Sequence, residues 1–125
     1  MTCLAMKIIA SIMVFLVALI HTGILILEMF YWDHPIGRGV FGMTAEESAL
    51  MATLAANQGL YNGFLAAGLF WGLLSQKRDV IFFFLICVMS AGVFGALTAK
   101  FSILFTQALP AAIAFILMLL IRPKS

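Results

Sequence analysis

The sequence predicts an all-α fold: a single domain, residues 1–125, that forms a bundle of four transmembrane helices. Hydrophobic residues make up 65% of the chain and charged residues only 10%, whereas soluble domains are about half apolar and about a quarter charged. The apolar residues fall into four runs separated by short polar segments. Each run approaches the ~20 residues that an α-helix needs to cross a bilayer.

The first predicted span covers about residues 8–30. A cleaved signal peptide is the alternative interpretation, but the apolar run is too long for a signal core and lacks a small-x-small cleavage site. His21 and Glu28 lie two helical turns apart on one face, with Glu28 roughly 10 Å closer to the far end. Tyr31 and Trp32 then resemble an interfacial aromatic belt.

The segment after this span, residues 31–48, is predicted to lie outside the membrane. Pro35 disfavours a helical His34, and Gly37 permits a positive φ, so residues 34–37 are predicted to form a turn. Thr44 and Glu47 have the spacing of a capping box, which predicts that the next helix begins near Ala45, outside the hydrocarbon.

Three further spans are predicted over about residues 49–74, 80–99 and 102–121. In the last one, Pro110 cannot donate a hydrogen bond to Thr106, which predicts a kink near Gln107. Four spans place both termini and the polar turn after residue 74 on one side, with five cations: Lys7, Lys77, Arg78, Arg122 and Lys124. The other side has two, Arg38 and Lys100. The positive-inside rule therefore predicts cytoplasmic termini in a multi-pass protein of the cell membrane, such as a bacterial inner membrane.

This topology places the intramembrane polar residues in the outer half of the bundle. They are predicted to line one outward-facing, ligand-binding pocket: His21, Glu28, Asn57, Gln58, Tyr61, Asn62 and Gln107. Lipid cannot satisfy such groups, so each needs a partner within the protein or in a cavity. Lys100 or His21 is the expected partner of Glu28, and Asn57 or Tyr61 would satisfy His21. The alternative that stays open is that these groups only hold the helices together.

Small residues recur every four positions in two helices. Ala55, Gly59, Gly63 and Ala67 form one such stripe, and Ala91, Gly95 and Ala99 form another. Such stripes let a neighbouring backbone approach closely. They are consistent with packing inside the monomer or with a homo-oligomer.

Several function classes are disfavoured by what the sequence lacks. A net charge of +2 without a basic block does not indicate a nucleic-acid partner. His21 and His34 are badly placed to share a metal, and the cysteines Cys3 and Cys87 form no redox or metal motif. No catalytic or cofactor motif is present, so no cofactor is predicted and enzymatic activity is left undecided.

Three blocks of the sequence resemble a known family. HTGILILEMFYW (residues 21–32), the GRGVFGM loop and LAANQGLYNGFLAAGLFWG (residues 54–72) are similar to DUF1304, a family of small four-span membrane proteins without an assigned function. The resemblance covers essentially the whole chain and implies the fold and topology. It implies that the polar set from His21 to Asn62 recurs in the family, but it implies no reaction.

The predicted function is binding or transport of a small lipophilic or polar molecule in the outward pocket, with the lipid bilayer as the surrounding partner. A membrane enzyme with isomerase- or hydrolase-like acid/base chemistry, using Glu28 or His21 on a lipophilic substrate, is the second hypothesis. A structural or accessory membrane subunit is the third.

Overall fold

A computed structural model describes residues 2–121, and the described chain is all-α with no strand. The helices are α1 (Cys3–Phe30), α2 (Pro35–Phe41), α3 (Ala45–Leu74), α4 (Arg78–Thr98) and α5 (Leu109–Leu120). A π-helical segment, Leu104–Ala108, leads directly into α5. Arg122 and Lys124, two of the cations used to predict the orientation, lie outside the described residues.

The four long helical units pack side by side in a ring. α1 contacts α3 and α5, and α4 contacts α3, the π-helical segment and α5. Successive long helices run antiparallel, since Gly72 meets Ile81 across α3 and α4, and Gly95 meets Ile103 beyond α4. The core between them is apolar and includes fully buried residues from each helix: Val14, Val17, Leu69, Leu85, Val88 and Ala114.

Two helices of the described chain, α1 and α4, are long and apolar enough to cross a membrane. The stretch Leu104–Leu120 is apolar but shorter. α3 is the longest helix, with 30 residues, but polar residues interrupt its apolar sequence. Large apolar side chains cover much of the outer surface, among them Phe15, Phe83, Phe94 and Leu119.

α3 begins with the predicted capping box. The Thr44 hydroxyl accepts a hydrogen bond from the Glu47 amide at 3.2 Å, and the Glu47 carboxylate accepts one from the Thr44 amide at 2.8 Å. These bonds satisfy amides that have no partner inside the helix. The predicted start of this helix near Ala45 is confirmed.

The predicted turn at residues 34–37 is wrong, because this segment opens the short helix α2. Pro35 occupies the first turn, where its missing N–H is not needed, and the His34 side chain accepts from the Ile36 amide at 3.2 Å. Gly37 is helical and buried. A Cβ there would overlap the Tyr31 carbonyl oxygen, so close packing explains the glycine. The positive φ of this region, 68°, belongs to Gly42 at the end of α2.

Pro110 affects the last helix through a change of helix type. The preceding residues, Leu104–Ala108, are π-helical, and the Leu109 amide donates to the Leu104 carbonyl five residues earlier. Pro110 has no N–H for the Thr106 carbonyl, and its ring crowds that carbonyl. A widened π-helical turn relieves this crowding, and such turns are frequent at functional sites.

Candidate functional site

The predicted site residues Glu28, Asn57, Gln58, Tyr61 and Asn62 lie where the end of α1 packs against the middle of α3. A Cβ built on Gly59 would lie 2.7 Å from Met29 Cγ and 3.0 Å from Glu28 Cβ. Gly59 is therefore level with the last turns of α1. The first turns of α3, which start at Ala45, extend about 20 Å beyond this level at 1.5 Å per residue. Burial along α3 follows the helix face and not this overhang, since Ala55 in the overhang is buried whereas Asn57 and Gln58 beside it are exposed.

Glu28 and Asn62 are brought together across α1 and α3. The Asn62 amide donates to Glu28 Oε2 at 2.9 Å and to the Gln58 carbonyl of its own helix at 3.2 Å. Glu28 is half-buried. The expectation that Lys100 or His21 would be the partner of Glu28 is wrong, because Asn62 lies within reach on the neighbouring helix.

His21 is the deepest polar residue of the predicted set, with a side chain 1% exposed. Its Nδ1 lies 2.8 Å from the Val17 carbonyl oxygen, and since a carbonyl can only accept, Nδ1 carries the proton. His21 Nε2 is fully buried and has no hydrogen-bond partner among the described residues. The expected partners Asn57 and Tyr61 do not reach it. Buried polar atoms without a hydrogen-bond partner are rare, so this one needs an explanation.

Asn57, Gln58 and Tyr61 are exposed rather than enclosed. Asn57 and Gln58 directly precede the buried Gly59, but they lie on the exposed side of α3. Tyr61 is 54% exposed and packs edge-on against Phe64, with ring centroids 5.8 Å apart. One cavity enclosing the whole predicted set is not observed. Ligand binding by these residues stays a prediction.

Gln107 is half-buried in the π-helical segment. Lys7 and Ile121, at the opposite end of the protein, line one groove between α1 and α5. Along the chain, Lys7 precedes His21 by as many residues as Gln107 precedes Ile121. Because α1 and α5 are antiparallel neighbours, Gln107 lies at about the depth of His21.

A second polar cluster joins the loop after α1 to the start of α3. The buried Ser48 hydroxyl donates to Asp33, Arg38 Nε lies 3.0 Å from the same hydroxyl oxygen, and Arg38 also forms an ion pair with Asp33. Trp32 Nε1 donates to the Ser48 carbonyl at 3.0 Å. The Ser48 hydrogen bond, followed by Arg38, holds the pKa of Asp33 below its usual value of 3.8.

Sequence reasoning missed this loop cluster. Asp33 and Arg38 are five residues apart, a spacing that predicts no side-chain contact in either a helix or a strand. Ser48 was the available signal, since it is a polar residue one helical turn after a capping box. Only the fold of α2 places all three side chains together.

Metal binding has no support in the described geometry. Within residues 2–121, no group of three or more His, Cys, Asp or Glu side chains lies close enough to hold an ion. His21 and Glu28 are separated by two helical turns, and His34 caps α2.

Comparison with known proteins identifies relatives but no activity. Residues 15–119 match the family described as "Protein of unknown function (DUF1304)". A relative from Lactococcus lactis subsp. lactis (strain IL1403), "Uncharacterized protein YpaA", is 33% identical over 115 residues, which are 89% of this chain and 97% of the relative. No solved structure matches this chain.

Proposed function

Since this chain belongs to the DUF1304 family, whose function is unknown, we propose a function from its own residues. It is a four-span protein of the cell membrane, with cytoplasmic termini, that binds or transports a small hydrogen-bonding molecule. The binding site is in the outer half, between α1, α3 and the π-helical segment.

The helix arrangement supports four spans. α1 and α4 meet the length and hydropathy requirement by themselves. α3 and α5 are packed beside them in the same ring, so a bilayer that holds α1 and α4 also surrounds α3 and α5. The outer surface of the ring is rich in exposed Phe, Leu and Ile side chains, which suits contact with acyl chains.

The observation that carries the binding proposal is the unpartnered Nε2 of His21. With its proton on Nδ1, the imidazole has a buried lone pair at Nε2 that can accept a hydrogen bond. Leaving that acceptor buried without a donor costs about 1–3 kcal/mol. A ligand N–H or O–H group would recover this cost.

Two further groups give this half of the protein polar character. Gln107 lies on the last helix at about the depth of His21 and offers both a donor and an acceptor. The Glu28–Asn62 pair lies closer to the outer end, on the face of α1 that His21 shares. A ligand entering from outside would pass this pair before it reached His21.

Binding is tested with the purified protein in nanodiscs and a total small-molecule extract of the cells that express it. Retained compounds are identified by mass spectrometry for the wild type, His21→Phe and Thr22→Val. Phe keeps the ring volume but removes both nitrogens. Thr22, whose hydroxyl also bonds its own helix at 2.9 Å, is the matched control.

We expect a compound that the wild type and Thr22→Val retain and that His21→Phe loses. The same retained compounds in all three proteins, at equal folded fractions, would contradict the proposal.

Orientation is tested with single cysteines introduced after Cys3 and Cys87 are replaced by serine. An impermeant thiol reagent applied to intact cells should label Glu46→Cys, at the start of α3, and spare Ser75→Cys, at its end. The reverse pattern would place the termini outside and contradict the proposed topology.

A further inference from the structure

A groove opens at the end of the protein opposite the polar site. It has a volume of about 350 Å³ and lies where α1, the turn after α3, the start of α4 and the end of α5 meet. Its lining includes the polar residues Lys7, Ser11, Gln76 and Arg78, together with Met118 and Ile121 from the end of α5. In the proposed topology this is the cytoplasmic end.

The lining of this groove is cationic. Within residues 2–121, neither Lys7 nor Arg78 has a carboxylate within 4.0 Å, since the ion pair found there joins Arg38 and Asp33. Arg78 is fixed in place because its Nη2 donates to the Met118 carbonyl at 2.8 Å. The nearby Asp79 lines a different groove, together with Trp71 and Phe83. The cationic groove therefore has positive charge and polar groups without a described counter-ion.

Gln76 reaches this groove from an unusual backbone conformation. Its φ is 53°, in the left-handed region. The Gln76 amide donates to the Leu73 carbonyl at 3.3 Å and the Lys77 amide to the Gly72 carbonyl at 2.9 Å, which is the Schellman pattern that ends a helix. Glycine normally occupies this position because it is not strained there. The chain instead has a glutamine there, and this residue lines the groove. Strained residues of this kind concentrate at functional sites.

An apolar groove continues from the same residues along the outside of α1 and α3. It has a volume of about 460 Å³ and shares Lys7, Ser11 and Leu73 with the cationic groove. Its other lining residues are apolar, and they run along about two turns of α1 and to the end of α3: Ile8, Ile12, Phe15 and Leu74. The cationic groove thus continues into an apolar groove roughly 10 Å long at 1.5 Å per residue.

We propose that this composite groove binds an anionic phospholipid of the inner leaflet. The phosphate lies between Lys7 and Arg78, Ser11 and Gln76 donate to its oxygens, and one acyl chain lies along Ile12 and Phe15. Basic pockets between membrane helices on the cytoplasmic side bind such headgroups in this way. The proposal rests on the membrane placement of the proposed function, but it needs no ligand at His21.

The test compares phosphatidylglycerol, phosphatidylcholine and inorganic phosphate, each titrated into the purified full-length chain in a non-ionic detergent. Native mass spectrometry measures the bound fraction. We expect phosphatidylglycerol to bind more tightly than phosphatidylcholine and inorganic phosphate not to bind measurably. Lys7→Gln should weaken phosphatidylglycerol about fivefold, which corresponds to ~1 kcal/mol per basic residue.

Lys100→Gln is the matched control, because it removes one cation at the opposite end of the protein. Lys7→Gln is preferred to Arg78→Gln because Arg78 also holds the Met118 carbonyl. Equal binding of the two lipids, equal effects of Lys7→Gln and Lys100→Gln, or phosphate binding as tight as that of the lipid would each overturn the proposal.

The measurement in micelles is independent of orientation and of His21. The lipid-binding measurement can therefore be interpreted even if the cysteine-labelling or metabolite experiment contradicts the proposed function.

Discussion

The contact between α1 and α3 differs from the contact between α4 and the helix that follows it. In the first, the glycines of α3 mainly meet side chains. A Cβ on Gly63 would overlap only the Leu25 side chain, and one on Gly59 would approach the Met29 and Glu28 side chains more closely than the Leu25 carbonyl oxygen. In the second, a Cβ on Gly92 would lie 2.7 Å from the Ala108 backbone nitrogen and 2.8 Å from Ala108 Cβ. Polar contacts are also concentrated on the α1–α3 side, at Glu28, Asn62 and the loop cluster.

This difference predicts which substitutions each contact tolerates. A flexible leucine can change rotamer to admit a methyl group, whereas a backbone held by a π-helical turn cannot move without shifting the whole segment. The α4–α5 contact should therefore be sensitive to volume. The α1–α3 contact should be sensitive to the loss of hydrogen bonds and, at its outer end, to pH.

The largest expected effect is that of Gly92→Ala. Overpacking against the Ala108 backbone should cost about 2 kcal/mol of the free energy of unfolding, within the usual range of about 1–3. Gly63→Ala should be nearly neutral, since Leu25 can move and alanine favours the helix by about 1 kcal/mol. Unfolding in mixed micelles, followed by circular dichroism, measures both.

Gly23→Ala is the control for these substitutions. No atom lies within 4 Å of a Cβ at Gly23, so the change reports helix propensity alone and should stabilise the protein. If Gly92→Ala were as stable as Gly23→Ala, the proposed backbone contact between α4 and the π-helical segment would be wrong.

The sequence predicts the all-α fold and the start of α3 because apolar runs and capping residues are local signals. The small-residue stripe predicted on α4 packs only in part. Gly95 meets Ile103, but Ala91 and Ala99 are exposed. The buried small residues are Gly92 and Ala96, in line with Leu85 and Val88. Small residues occur on two adjacent faces of this helix, and only the position of the neighbouring helix selects one.

The contacts of the candidate site depend on the same kind of tertiary information. The sequence predicts that Asn57 and Gln58 share a pocket with His21, whereas both side chains are exposed. The covered face of α3 depends on how Gly59 packs against Glu28 and Met29, which is a tertiary contact. Asn62 reaches Glu28 because both lie on the sides that α1 and α3 turn toward each other.

A smaller effect is expected from the hydrogen bond between Glu28 and Asn62. A double-mutant cycle with Glu28→Ala and Asn62→Ala should give a coupling energy of about 1 kcal/mol, near the values of roughly 0.6–1.7 measured in membrane proteins. Each variant is unfolded in the same micelles as above. A matched cycle with Glu28→Ala and Gln58→Ala should give no coupling, since no side-chain bond joins that pair in the described structure. Equal coupling in both cycles would contradict a specific Glu28–Asn62 contact.

The smallest expected effect is the pH dependence of the loop cluster at the outer end of the α1–α3 contact. Its Ser48 and Arg38 hydrogen bonds lower the pKa of Asp33 in the folded protein below 3.8. A carboxyl group with a lowered folded pKa stabilises the protein at pH values above its unfolded pKa, and this contribution is lost as the pH falls through the folded pKa. Asp33 should therefore stabilise the folded protein fully above about pH 5 and progressively less below about pH 4.

Asp33→Asn should lower the melting temperature near pH 6, and the difference from the wild type should shrink on acidification. Glu47, whose pKa the Thr44 amide and hydroxyl also lower, is present in both proteins, so the difference between their melting curves isolates Asp33. A difference that stayed constant from about pH 6 to about pH 3 would show that the charge of Asp33 does not stabilise the α1–α3 contact.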